Sequence, residues 1–123
     1  MKILITGGRN YKNKKLLYSV LDYINEQTPI ESLAHGDCTG ADLLAKEWCL
    51  AKSIKSTAYP ADWSIGKKAG PMRNAYMLKD FEPDMVLAFD GGRGTANAIQ
   101  FVKKMGFPVT FANEVADQIS TND

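Results

Sequence analysis

Apolar and polar positions alternate between two periods along the chain. Ile3-Leu4-Ile5-Thr6 is a short apolar run closed by Gly7-Gly8, the pattern of a buried strand. Over residues 13–27, Leu16, Leu17, Val20, Leu21 and Ile24 recur at helical spacing, and Pro29 ends that helix. Ile30 to His35 predicts a second strand. A helix follows from Thr39 to about Ser53, with Ala41, Leu44, Ala45, Trp48 and Cys49 on one face. Thr39 is expected to be its N-cap, with Asp42 at the capping-box position. Residues 55–59 predict a third strand, and Pro60 to Gly70 a polar loop. Pro71 suits the first turn of a helix carrying Arg73, Asn74, Met77 and Leu78. Asp84 to Phe89 is the most apolar strand. After the turn Asp90–Thr95 comes a helix with Ile99, Val102 and Met105 inward, capped by Gly106. Val109 to Phe111 is the last strand, and the tail after Asn113 is expected to be a short helix that frays.

Strand and helix thus alternate with short connections. That pattern predicts an α/β fold: a Rossmann-like, doubly wound parallel sheet of about five strands, with helices on both faces. Right-handed crossovers favour the strand order 3-2-1-4-5. The 123 residues fit a single domain spanning 1–123, with no repeat or low-complexity tract.

Composition changes this picture little. Apolar residues are 45% and charged residues 24%, which argues against disorder. The net charge of +1 means that any anion site must come from local clustering. Cys38 and Cys49 form no metal-binding spacing, so neither a metal nor a cofactor is expected, although the spacing leaves a disulfide geometrically possible. The first apolar run is too short for a signal peptide or a membrane span. A cytoplasmic protein of bacterial or phage origin is the expectation.

The chemistry-bearing residues cluster after the strands. Gly7-Gly8-Arg9-Asn10 follows the first, and His35-Gly36-Asp37-Cys38-Thr39-Gly40-Ala41-Asp42 the second. Ala61-Asp62-Trp63 follows the third, and Asp90 to Thr95 the fourth. In a parallel sheet these loops share the carboxyl edge, where ligands bind at the point at which strand order reverses. Gly91-Gly92-Arg93-Gly94-Thr95 is the sharpest signal. Its glycines allow close approach, the helix start offers free N–H groups, and Thr95 adds a hydroxyl; together they suit a phosphate. Gly36 and Gly40 bracket a second helix start. Arg9, Arg73 and Arg93 match phosphate bidentately, with Asn74 beside Arg73. Lys67 and Lys68 have two readings, further phosphate partners from the loop or, more readily, solvated surface residues. Asp42 has two readings, a capping acid or the partner of a ribose hydroxyl or water. Trp63 stacks on a base or anchors its loop. His35, alone at a strand end, reads as structural.

These residues also resemble a known family. Gly7-Gly8-Arg9, His35-Gly36-x-x-x-Gly40-Ala41-Asp42, Pro60-Ala61-Asp62-Trp63, Gly70-Pro71-x-Arg73-Asn74 and Gly91-Gly92-Arg93-Gly94-Thr95 are similar, in order and spacing, to the YspA/cpYpsA-related SLOG family over about residues 2–110. The resemblance implies a Rossmann-like domain related to LOG nucleotide phosphoribohydrolases, to the DNA-processing protein DprA, and to sensors of nucleotide-derived signals such as cyclic ADP-ribose forms. LOG hydrolases carry a glutamate in Gly-Gly-x-Gly-Thr-x-x-Glu, and Ala98 stands at that position here. The expected function is therefore binding of a nucleotide or nucleotide-derived signalling ligand, as in a phage sponge that sequesters a host defence signal. The alternative is N-glycoside hydrolysis or ribosyl transfer using Asp42 or Asp62. Neutral net charge and scarce aromatics argue against nucleic acid. LOG relatives associate, and Tyr18, Tyr23, Trp48 and Phe101 are expected to give surplus apolar surface for a homodimer or higher homo-oligomer.

Overall fold

The computed structural model describes residues 1–122. Its strands are β1 (Lys2–Thr6), β2 (Ser32–His35), β3 (Lys55–Ala58), β4 (Met85–Ala88) and β5 (Val109–Phe111). They pair in parallel in the order β3-β2-β1-β4-β5. The helices are α1 (Lys14–Gln27), α2 (Ala41–Lys52), α3 (Ala69–Phe81), α4 (Arg93–Lys104) and α5 (Ala112–Asn122). Their order and the strand order agree with the sequence pattern.

Central β1 explains the sheet. With neighbours on both edges and helices on both faces, it buries Ile3, Leu4 and Ile5 almost completely. Successive side chains point to opposite faces. Ile3 and Ile5 join Leu17, Val20 and Leu21 of α1, Ala45 and Trp48 of α2, and Val115 of α5. Leu4 joins Met77, Leu78 and Phe81 of α3 and Val102 of α4. The sheet is therefore doubly wound, with α1, α2 and α5 on one face and α3 and α4 on the other.

Local signals set many of the ends. Asn13 accepts a hydrogen bond from the Leu16 N–H at 3.1 Å and starts α1. Glu82 adopts a left-handed conformation just before Pro83 and ends α3. Other expectations give way. Thr39 is not the cap of α2: Gly40 takes that position, and no side chain caps the helix. The Thr39 hydroxyl instead donates to the Arg9 carbonyl at 3.0 Å. The tail is helical as expected and forms α5 up to Asn122, with Val115 drawn into the core beside α1.

Trp48 also departs from expectation. It is fully buried, and its indole N–H donates to Asp22 of α1 at 2.9 Å. It therefore contributes nothing to a surface for self-association. Trp48→Phe removes a bond to a charged, partly exposed acceptor and some of the buried indole. It is expected to cost about 2–3 kcal/mol, read as a lower urea midpoint with an unchanged slope.

Candidate functional site

The carboxyl ends of β1 to β4 carry the loops that the sequence singled out. The loops after β1 and β4 meet where the strand order reverses. Phe89 N–H donates to the Thr6 carbonyl, and Gly8 N–H to the Asp90 carbonyl, both at 2.9 Å. The Gly8 carbonyl in turn accepts from Ala41 N–H at 3.2 Å, which ties the first loop to the start of α2. Gly40 has φ +77°, and a Cβ there would overlap the Gly8 carbonyl. A side chain at Gly91 would run into the Thr95 hydroxyl. These two glycines let the loops pack backbone to backbone.

Between the loops lies a cleft of about 540 Å³. Gly7, Gly8, Arg9 and Asn10 line it from the first loop, and Gly36, Cys38 and Asp42 from the second. Trp63, Lys67, Arg73 and Asn74 contribute from the segment after β3, and Gly92, Arg93, Gly94 and Thr95 from the start of α4. Thr39, Gly40, Asp62 and Gly91 do not line it. Asp62 is exposed and accepts from Ser64 N–H at 3.1 Å, closing the 3₁₀ turn Trp63–Ile65. Thr39, Gly40 and Gly91 serve loop packing.

Positive charge is concentrated here although the whole chain carries only +1. Arg9, Lys67, Arg73 and Arg93 face a single carboxylate, Asp42, around the cleft. Arg73 is partly engaged. Its Nε donates to Asn74 Oδ1 at 2.9 Å, and its Nη1 to the Gly36 and Tyr59 carbonyls at 2.5 and 3.2 Å. This joins the loops after β2 and β3 to α3 and leaves Nη2 without a partner among the described residues. Arg9 lies over the Trp63 ring at 4.8 Å, and Trp63 packs on Gly70. Trp63 is thus a loop anchor whose half-exposed ring also borders the cleft.

The α4 N-terminus supplies fixed polarity. Gly92 is its cap, no side chain satisfies its first turn, and the N–H groups of Arg93, Gly94 and Thr95 have no partner among the described residues. Thr95 is buried beside them. An uncapped helix start of this kind favours an anion.

The remaining candidates have different surroundings. His35 is buried, and its Nδ1 accepts from Asp37 N–H at 3.0 Å. Burial lowers its pKa, so it is a neutral structural side chain. Both cysteines are free, Cys49 in the core and Cys38 half-buried at the cleft. Cys38 and Asn97 line the cleft without having been singled out by sequence. Cys38 was discounted once no metal spacing was found, and Asn97 shows its place only through an unpartnered, buried Oδ1. No group of residues able to hold a metal ion occurs among the described residues. Nor is any described helix long and apolar enough to cross a membrane.

Fold and cleft together define a Rossmann-like α/β protein with a cleft at the switch point of its sheet. More particularly, the chain belongs to the YspA, cpYpsA-related SLOG family, which it matches over residues 1–66. That match contains the first two glycine loops and Trp63; the segments around Arg73 and Thr95 lie beyond it. Among solved structures the chain is similar to the X-ray structure of TM1055, a Northeast Structural Genomics Consortium target. The two share 17% identity with a TM-score of 0.69, over 88% of this chain and 71% of that one, a likeness of fold. No curated protein matches the chain.

Asp42 gives the cleft a titratable wall. It is 6% exposed, and burial lifts its pKa to about 6 against the opposing pull of the Cys38 and Gly36 N–H groups and Arg73. The folded carboxyl holds its proton to higher pH than the unfolded one. Its contribution to stability is therefore complete below about pH 4 and is lost as pH rises through about 6, by on the order of 3 kcal/mol. Asp42→Asn keeps the shape and the acceptor for both N–H groups. It is expected to be more stable than wild type at pH 8, by about 1–3 kcal/mol, and equal to it at pH 4. Urea midpoints at the two pH values measure this.

Proposed function

We propose that the protein binds a phosphate-bearing, nucleotide-derived ligand in this cleft, with the phosphate on the first turn of α4. The observation that carries this reading is the uncapped N-terminus at Gly92–Gly94, with the buried Thr95 hydroxyl beside it and Arg73 and Arg93 on the same cleft. Free N–H groups, a helix dipole and guanidinium donors all favour the same charge. Membership of a SLOG family supports a nucleotide-related ligand.

In this reading the ligand is held and not turned over. Ala98, at the position where LOG hydrolases carry glutamate, is 5% exposed and offers no carboxylate. Sequestration of a cyclic ADP-ribose-type signal or a cyclic nucleotide in a bacterial cell, as by a phage anti-defence sponge, follows as the biological form of the proposal. Homo-oligomerisation belongs to it too, supported by the exposed Met72 and Tyr76 on α3 and Leu43 and Leu50 on α2.

A second reading, N-glycoside hydrolysis or ribosyl transfer, is favoured by one observation. Asp42 is a cleft carboxyl with a pKa of about 6, close to that of an acid–base catalyst working near neutrality. Asp62 has no part in it, since it lies outside the cleft.

Thr95→Val replaces the hydroxyl by a methyl of similar size. It is expected to weaken binding of inorganic phosphate and of AMP ~10-fold or more, followed by Trp63 fluorescence. Equal affinity would remove Thr95 from the site. Ligand retention separates holding from turnover. After incubation with cyclic ADP-ribose or a cyclic dinucleotide, heat denaturation is expected to release the compound intact. Recovery of cleavage products alone would favour the hydrolase.

A further inference from the structure

Asp42 is out of place in an anion site. A buried carboxylate repels a phosphate and is itself costly to ionise. Half of the side chain is explained by its neighbours. Oδ2 accepts the N–H groups of Gly36 at 3.0 Å and Cys38 at 3.3 Å, which hold the loop before α2. Its other oxygen, Oδ1, has no hydrogen-bond partner among the described residues, and Asp42 lines the cleft. A side chain that only held the loop would need no charge, because an asparagine oxygen accepts the same two N–H groups.

An ionised carboxylate is an acceptor only, so the group that meets Oδ1 must be a donor. Nearby cations do not supply it: among the described residues none, Arg73 Nη2 included, makes a hydrogen bond or ion pair to Asp42. Arg73 Nε and Nη1 are turned to Asn74 and to the Gly36 and Tyr59 carbonyls, and Arg9 lies over Trp63. In the open cleft water can meet Oδ1, and once a ligand displaces that water the ligand must bring the donor. It must sit in the same cleft as a bound phosphate and carry no negative charge, which describes the hydroxyls of a sugar phosphate. We propose that Asp42 accepts a hydrogen bond from a sugar hydroxyl of the bound phosphate ester, so that the cleft selects ribose over deoxyribose compounds. This rests on the phosphate reading above and assigns the second recognition element of the same site.

A hydroxyl bonded to a charged acceptor discriminates strongly against the analogue that lacks it. Titrations of inorganic phosphate, AMP, 2′-deoxy-AMP and 3′-deoxy-AMP at pH 8, against wild type and Asp42→Asn, test the assignment. Wild type is expected to bind AMP ~10-fold or more tighter than at least one deoxy analogue. In Asp42→Asn that preference should fall to about 2-fold or less, while phosphate binds as in wild type or more tightly. This pattern is not produced by a loop that has merely unfolded, which would weaken phosphate too. Equal binding of AMP and both deoxy analogues by wild type overturns the inference, as does AMP binding no tighter than phosphate or a preference that survives in the variant. Each of these leaves the phosphate site standing. Failure of wild type to bind phosphate at all overturns both.

Discussion

The site depends on how closely the backbone of the loop after β1 approaches its two neighbours. Gly8 gives its N–H to the Asp90 carbonyl and offers its own carbonyl to Ala41 N–H, so one residue joins the loop after β4 to the start of α2. Gly40 and Gly91 are required there because a Cβ on either would strike an atom of the joint. The joint sits where the strand order turns, beside central β1, and it fixes the helix start that faces the cleft.

Around this joint the charges have divided duties. Arg73 binds two backbone carbonyls and so holds two loops together, yet its guanidinium still borders the cleft. Arg9 covers Trp63. Preorganisation of this kind lowers the ordering cost of ligand binding, since these side chains are fixed before a ligand arrives. It also explains how a chain of net charge +1 presents a cationic cleft: the charge is local and held by the fold.

The acidic component separates this cleft from a plain phosphate pocket. Ala98 removes a carboxylate from α4, while Asp42 keeps one on α2 with a raised pKa and an oxygen to spare. That state suits the two proposed roles, reading a donor on the ligand or taking part in proton transfer, beside its hold on the Gly36 and Cys38 N–H groups. Both proposals put the sugar of a nucleotide-like molecule beside the helix start, so the two readings share one geometry.

The sequence by itself determined the alternation of strands and helices, the strand order and the edge on which the loops gather. These follow from short-range periodicity, from glycine and proline punctuation and from the handedness of crossovers. It also marked Gly92–Thr95, because a glycine turn entering a helix is a local motif. Tertiary structure decided which marked residue faces the cleft. Thr39 and Asp42 read as a capping box, yet Gly40 caps the helix, because loop packing draws Thr39 to Arg9 and Asp42 to Gly36 and Cys38. Trp48 was open to a role in self-association until Asp22, from another helix, gave its N–H a partner and the core took its ring. Asp62 proved to cap its own turn. A local pattern can propose a hydrogen bond, but a side chain goes to the partner that its folded surroundings supply, and such partners lie on other elements of the chain.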